Sequence, residues 1–464
     1  MKFAKRILPL LLCFVLILPL GMQAFADDYA VARPYKVTLT VNGKETRVRA
    51  YDFEYTNNVY ISLKGLSSAL NGTSKKFFLQ MTSTKEDGTY FTIAKGKTGL
   101  SAADAADLVN NDKRQSEYMN IKRNRLFIGR NETRYYTLLS GNDLYMNLVD
   151  IMLVFDLKAN YIDQNSIELF PDQPLDYSPQ ELEDSGFLHP FTGVLIGDAN
   201  TGEVLYSYRG ITPTAIASTT KLMTYLLVQE AIDAGELDPE GSITISQNVS
   251  SISYSGDGTI PLNSGQQIPV TELIHAMMLA SSNESATALA EEICGSEDAF
   301  VERMNQRAEE LGLTGTVFYN SNGLPSFGES PLQTKRQNRM SAFAMFRLCR
   351  HILQNYPQVT DITSLQFKNM PTMKYTTANS NPLVFNTPGV TGLKTGTTNK
   401  AGYCLVCSKD VTVEDETHTI VVVAFGAESA TERGQICQLL YNYADRYYAE
   451  NGFWNQLSAY EPVK

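Results

Sequence analysis

The chain has 464 residues, 43% of them apolar, and a formal net charge of −11; that length and content predict two or three domains with real cores. Losing Lys2, Lys5 and Arg6 with a leader would take the charge to −14, since no acidic residue leaves with them. A chain so acidic, with no run of basic residues interleaved with aromatics, argues against nucleic acid as a partner.

Residues 1–26 read as a signal peptide. "MKFAKR" is basic, "ILPLLLCFVLILPL" is apolar, and "AFA" before Asp27 fits a small-residue cleavage site. The apolar run is short for a membrane span, and no second run is long enough to cross a bilayer. A secreted protein at the extracytoplasmic face of the cell envelope is the expectation. Of the six cysteines, Cys13 belongs to the leader. Cys294, Cys349, Cys404, Cys407 and Cys437 remain, an odd number that implies no disulfide framework.

Residues 33–172 are strand-rich, with short alternating or β-branched runs such as "YKVTLTVNG" and "NSIELF" between turn residues. The region repeats itself: "NNVYISLKGLSSAL" (57–70) aligns with "NDLYMNLVDIMLVF" (142–155). Each copy reads as a strand running into an amphipathic helix, and two such units are expected to pack together. On the V-Y-I-S-L and L-Y-M-N-L pattern the region resembles the small N-terminal domain of copper amine oxidases. It holds no histidine, so copper is not implied, and a non-catalytic spacer or wall-interaction module is expected.

"PDQPLDYSPQELEDSG" (171–186) is acidic and proline-rich, and 173–186 is expected to be a linker. A second domain follows over 187–449, with a tail at 450–464. It opens with two strands joined at an Asn-Thr-Gly turn in "TGVLIGDANTGEVLYSY". Helices are predicted at 219–233, 270–280, 284–294, 297–312 and 341–354. Strands "GVTGLKTG", "AGYCLVCSK" and "TIVVVAFGA" and a last helix from about 431 close the chain. Strands at both ends with helices between predict one antiparallel sheet in an α+β arrangement. "CLVC" at 404–407 lies in a strand, where residues three apart face opposite sides, so two packed thiols are expected rather than a redox pair.

Three short motifs stand in order in this domain. In Ser218-Thr219-Thr220-Lys221 the serine and lysine lie one helical turn apart, within side-chain reach. A lysine in the first turn works against the helix dipole. A neutral lysine can, however, take the proton of a serine hydroxyl. Ser281-Ser282-Asn283 falls between two helical runs; it reads either as a helix cap or as a polar group facing a substrate. In Lys394-Thr395-Gly396 a glycine interrupts a strand, which marks a close approach of a ligand or another backbone. Each motif alone has an ordinary explanation.

S-x-x-K, S-D-N and K-T-G are together the signature of penicillin-binding proteins and class A β-lactamases, and the three motifs stand here in that order with Ser282 in the middle of the second. With "DANTGEVLY", "LASSNESATALAE", "FVERMNQRAEELGL" and "GLKTGTTNKAGYCLV", residues 187–449 resemble the serine-type D-Ala-D-Ala carboxypeptidases, the low-molecular-mass penicillin-binding proteins. The resemblance implies a penicillin-binding/β-lactamase-like fold and acyl transfer without a cofactor. Ser218 would attack the bond between the two terminal D-alanines of a peptidoglycan stem peptide and Lys221 would take its proton. Ser281 would relay that proton to the leaving group, and Asn283 would hold the peptide. Lys394 would keep Lys221 neutral and, with Thr395, Gly396 and Thr397, bind the terminal carboxylate, with Arg433 a further candidate. Amides of Ser218 and Thr397 would form the oxyanion hole, and β-lactams would acylate Ser218. Ser282 stands where the family has glycine, at a position expected to face away from substrate. The segment after "NSNGL" departs from the family, and its C-terminal β-domain and membrane anchor are not found.

Two other chemistries compete. His189, His275, His351 and His418 show no metal-ligand spacing, so a metallopeptidase and a metal partner are excluded. A β-lactamase needs a deacylating glutamate, for which Glu329 is the one approximate match. A catalytically idle wall-binding protein would not need all three motifs.

Overall fold

The computed structural model describes residues 28–53, 59–85, 88–97, 117–129, 131–133, 135–163, 165–254, 259–326, 336–413 and 416–451. The leader at 1–26, Glu329 and the tail from 452 onward lie outside the described residues.

The N-terminal half is built on an eight-stranded sheet. Six of its strands close on themselves: Asp28–Val41, Lys44–Phe53, Val59–Ser62, Asp143–Asn147, Tyr136–Ser140 and Glu117–Arg123, the last pairing back onto the first. Closure removes free edges. Ala32, Tyr51, Tyr60, Leu138 and Tyr145 form a small buried cluster of their own from these strands, with Tyr51 and Tyr145 edge to face at 4.9 Å.

The internal repeat lies at the centre of this half. Val59–Ser62 runs into the helix Leu63–Ala69, and Asp143–Asn147 into the helix Leu148–Phe155. The two strands pair antiparallel, with Asn147 opposite Tyr60 and Tyr145 opposite Ser62. Each helix is capped by the last residue of its strand: Ser62 Oγ accepts from the Gly65 amide at 2.9 Å and Asn147 Oδ1 from the Val149 amide at 2.9 Å. Asp143 of one copy accepts from the Ser62 hydroxyl of the other at 2.6 Å, so the copies hold each other's ends.

The stretch expected to be a linker is not loose chain. A helix at Pro179–Asp184 carries a full capping box between Ser178 and Glu181. Leu175 and Leu182 are buried in a core shared by both halves of the protein.

The second half is a five-stranded antiparallel sheet in the order Val204–Tyr208, Gly193–Asp198, Glu416–Ala427, Gly402–Val413 and Val390–Thr398. It is assembled from both ends of the segment, as the strand pattern predicts. Successive side chains alternate between two cores. Cys404, Val406, Val421 and Val423 face the helical layer, while Leu405, Cys407, Ile420 and Val422 face the last helix, Ala430–Asn451, and the N-terminal half. Cys404 and Cys407 therefore stand on opposite faces of the sheet, and both are free thiols. The helices at Lys221–Asp233, Val270–Leu279, Asn283–Cys294, Glu297–Glu310 and Ala342–Asn355 match the predicted set within a few residues. A further helix at Gln247–Tyr254 lies outside that set.

The halves are joined by more than apolar burial. Gln435 Nε2, on the last helix, donates to Asn147 Oδ1 at 2.8 Å and Asp150 Oδ1 at 3.0 Å. Arg446 donates to the Leu175 carbonyl at 2.7 Å.

Candidate active site

Ser218 lies in a single 3-10 turn, Ala217–Thr220, which leads directly into the helix Lys221–Asp233. Every residue of that helix from Lys221 to Gln229 is buried, so it runs through the domain interior with no solvated face. Ala217, just before the serine, holds a left-handed conformation at φ 47°, which costs a non-glycine residue energy and persists only where surroundings enforce it. Those surroundings are on two sides. Gly323 approaches so closely that a Cβ there would stand 2.1 Å from the Ala217 carbonyl oxygen. A Cβ on Gly396 would stand 2.9 Å from the Ser218 amide nitrogen and 3.0 Å from the Thr219 amide nitrogen. The glycine in the Lys-Thr-Gly strand thus marks the approach of another backbone, as its place in a strand implies.

Lys221 is fully buried, and its Nζ meets three oxygens: Ser218 Oγ at 3.0 Å, Asn283 Oδ1 at 2.7 Å and the Asn322 carbonyl at 2.6 Å. A carbonyl and an amide oxygen can only accept. A neutral amine has two N–H groups and one lone pair, so both N–H groups go to these two oxygens and the lone pair is left for the Ser218 hydroxyl proton. Burial lowers the Lys221 pKa to about 7, against the opposing pull of Glu284 and Glu297.

The cause differs from the one the resemblance implies, in which Lys394 keeps Lys221 neutral. Burial is the larger cause, and the mutual repulsion falls on Lys394, which is itself fully buried. The Lys394 pKa is pushed well below the usual lysine range by burial, then by the charges of Lys221 and Arg433. The Lys394 side-chain nitrogen donates to the Thr395 carbonyl at 2.9 Å.

The second motif divides between its two readings. Ser282 caps the helix Asn283–Cys294, accepting from the Ser285 amide at 3.0 Å, and is fully buried. Asn283, the first helical residue, turns its amide oxygen to Lys221. Ser281 is half-buried with a left-handed backbone at φ 61°; among the described residues no hydrogen bond ties its hydroxyl to Ser218 or Lys221. In the third motif Thr395 Oγ1 shares a 2.7 Å hydrogen bond with Ser380, while Thr397 is exposed. Arg433, buried at the start of the last helix, donates to the Gly396 carbonyl at 3.2 Å, Thr397 Oγ1 at 3.1 Å and the Cys404 carbonyl at 3.3 Å. It braces the end of this strand from behind.

Sequence reasoning missed several residues. Asn322, Gly323 and Asn338 complete the surroundings of Ser218 and Lys221. Asn338 donates to Thr220 Oγ1 at 3.0 Å and to the Asn320 carbonyl at 2.9 Å, tying the serine turn to the "NSNG" loop. Glu284 is fully buried and accepts from the Ile260 amide at 2.9 Å and Ser282 Oγ at 2.7 Å. The Asn-Gly content of the loop was the available signal, since it marks turn geometry. The four histidines are dispersed: His418 pairs with Asp198 at 2.5 Å and His275 contacts the Thr271 carbonyl at 2.7 Å. Among the described residues no cluster of His, Cys, Asp or Glu could hold a metal ion.

An antiparallel sheet covered by helices, with a serine and a buried lysine one turn apart against a Lys-Thr-Gly strand, is the architecture of the penicillin-binding serine peptidases. The chain belongs to the D-alanyl-D-alanine carboxypeptidase family, Peptidase S11, whose model matches residues 191–429. It is 33% identical over 260 residues to the D-alanyl-D-alanine carboxypeptidase DacF of Bacillus subtilis (strain 168), covering 55% of this chain and 62% of that one. It is 30% identical over 286 residues to DacD of Escherichia coli (strain K12), covering 61% of this chain and 66% of the relative. The chain therefore spans less than two thirds of the length of either curated relative. The fold resembles that of a peptidoglycan synthesis regulatory factor (PBP3) from Streptococcus pneumoniae, with a TM-score of 0.51, 28% identity, and 55% of this chain and 73% of that one covered.

Proposed function

We propose that this protein is a serine-type D-Ala-D-Ala carboxypeptidase that removes the terminal D-alanine from peptidoglycan stem pentapeptides and is acylated by β-lactams. The observation that carries the reading is the 3.0 Å contact between Lys221 Nζ and Ser218 Oγ, made by a lysine whose other two hydrogen bonds go to oxygens that cannot donate. Membership of the family supports it.

In this reading Lys221 takes the Ser218 proton as Oγ bonds to the carbonyl carbon between the two D-alanines. The oxyanion is held by the amides of Ser218 and Thr397. The C–N bond then breaks, and the D-alanine nitrogen takes the proton from Lys221 by way of Ser281. Water hydrolyses the resulting ester and restores Ser218. Asn283 orients the lysine and the peptide, while Lys394, Thr395, Gly396 and Thr397 hold the terminal carboxylate. The role of Arg433 is refined: its contacts support fixing Thr397 rather than meeting the substrate directly. No cofactor enters any step.

The assignment of 187–449 as the catalytic domain and of 33–172 as a non-catalytic region like the copper amine oxidase N-terminal domain belongs to the same proposal. So does export, for which the basic and apolar leader is the support. The test is labelling with a fluorescent penicillin beside D-alanine release from a stem pentapeptide. Labelling and release that both vanish in Ser218→Ala support the reading. Equal labelling of the variant overturns the nucleophile, and rapid penicillin turnover without D-alanine release identifies a β-lactamase instead.

A further inference from the structure

Between the strand Tyr375–Ala378 and the helix Leu383–Asn386 the chain reads Asn379-Ser380-Asn381-Pro382, a stretch whose asparagines and proline mark turns. Each asparagine closes a local turn with its side-chain oxygen. Asn379 Oδ1 accepts from the Asn381 amide at 2.9 Å, and Asn381 Oδ1 from the Leu383 amide at 3.0 Å. Their side-chain nitrogens reach into the fold. Asn379 Nδ2 donates to the Thr363 carbonyl at 2.8 Å and the Leu365 carbonyl at 2.9 Å. Asn381 Nδ2 donates at 2.9 Å to the carbonyl of Gly392, on the strand that carries Lys394-Thr395-Gly396. Both asparagines are buried, so the loop is fastened on each side of Ser380.

Ser380 itself is half-buried and reaches two of the three motifs. Its amide donates to the Leu279 carbonyl at 3.1 Å. That carbonyl ends the helix Val270–Leu279, where no intrahelical partner is available, and lies two residues before Ser281. Its hydroxyl shares the 2.7 Å hydrogen bond with Thr395 Oγ1. No step of the chemistry at Ser218 uses this serine.

The direction of the hydroxyl bond follows from what Thr395 must face. A carboxylate only accepts, and a threonine hydroxyl has a single proton. Were Thr395 to donate to Ser380, it would meet the anion with a lone pair. With Ser380 as the donor, Thr395 keeps its proton for the carboxylate, and the two hydroxyls polarise in one direction toward the anion.

We infer that Ser380 is a positioning residue for the carboxylate end of the substrate, donating to Thr395 Oγ1 so that the Thr395 proton points at the anion. This role rests on the reading of Thr395 as a holder of the terminal carboxylate. Ser380 acts through Thr395 on the binding of a free carboxylate and leaves bond-making at Ser218 alone. Its bond to Leu279 belongs to the backbone, so Ser380→Ala removes the hydroxyl and nothing else.

The experiment uses the full chain, with D-alanine release from a stem pentapeptide and acylation by benzylpenicillin and by its methyl ester, which lacks the anion. Ser380→Ala should raise KM for the pentapeptide about three- to tenfold with kcat held, and slow acylation by benzylpenicillin by the same factor. Acylation by the methyl ester should be unchanged. In Thr395→Val the second change, Ser380→Ala, should add less than about a twofold loss. A Ser380→Ala variant with wild-type KM, one that loses kcat or slows equally with both penicillins, or losses that multiply in the double variant would each overturn the role. Wild-type chain that neither releases D-alanine nor is acylated by benzylpenicillin overturns instead the catalytic reading on which it rests.

Discussion

Asn283 presents its amide oxygen to Lys221 Nζ at 2.7 Å, at the first turn of a helix whose cap, Ser282, is fully buried. The lysine is thereby given an oxygen without a charge. Replacing that oxygen by a carboxylate changes little in shape and much in electrostatics. In Asn283→Asp a nearby negative charge should raise the Lys221 pKa above its value of about 7. Every tenfold drop in the neutral fraction of the lysine should then slow penicillin acylation at neutral pH about tenfold, with recovery as pH is raised. A variant with the wild-type pH profile would show that this lysine is not the base.

The wild-type profile follows from the same group. Neutral Lys221 is the competent form, so acylation should rise with pH through an inflection near 7, the value to which burial brings the lysine. Lys221→Arg keeps a cation in place that does not deprotonate. Its acylation rate should drop by roughly 10²–10⁴ at every accessible pH, with no inflection near neutrality.

Gly396→Ala tests the contact of the Lys-Thr-Gly strand with the serine turn. The added Cβ would meet the Ser218 and Thr219 amides and the Ile216 carbonyl at 2.9–3.0 Å, all of them backbone atoms. Neither side can yield by rotating a side chain, so the strand must move off the turn. A movement of that kind should slow acylation roughly a hundredfold while circular dichroism remains that of the folded protein. Normal labelling kinetics in this variant would mean the strand does not complete the site.

Asp150 offers a test of the seam between the two halves. Its carboxyl is fully buried, accepts from Gln435, and is raised by burial to about 7 from the usual 3.8. A carboxyl whose folded pKa is raised favours the folded state while protonated. That contribution is fully present below about pH 4 and is lost as pH rises to about 7. Asp150→Asn keeps an oxygen for Gln435 and removes the charge. It should be more stable than wild type at pH 8 by roughly 1–3 kcal/mol in urea unfolding. Its stability should also fall less between pH 4 and 7, with Asp143, which burial raises to about 6, and Glu203, also raised by burial, contributing to the remaining slope. A variant less stable than wild type at pH 8 would mean the charge is compensated.

Much of the second half is legible in the chain because its signals are local. Ser218 and Lys221 are three residues apart, the strand patterns alternate, and Cys404 and Cys407 must face opposite sides of any strand that holds them. The internal repeat is legible too, since matched strand-helix units need each other's apolar faces. The helix at Pro179–Asp184 escapes a reading by composition although its Ser178–Glu181 capping box is written in the chain; acidic and proline-rich content outweighs a four-residue cue.

What the sequence by itself determined is therefore the order of the three motifs, the α+β pattern and the residues able to exchange a proton. What only the tertiary structure decided is the state of those residues. Desolvation depends on what surrounds a group, and the walls of the turn that holds Ser218 and Lys221 come from Asn283, Asn322 and the Gly323 and Gly396 approaches, between 62 and 175 positions beyond Lys221 in the chain. The same reason sets Lys36 opposite Arg49: the two are distant in sequence, and only the register of two strands puts them side by side. It also explains the burial of the stretch around Leu175 and Leu182, where the packing of two halves, rather than local composition, removes the chain from water.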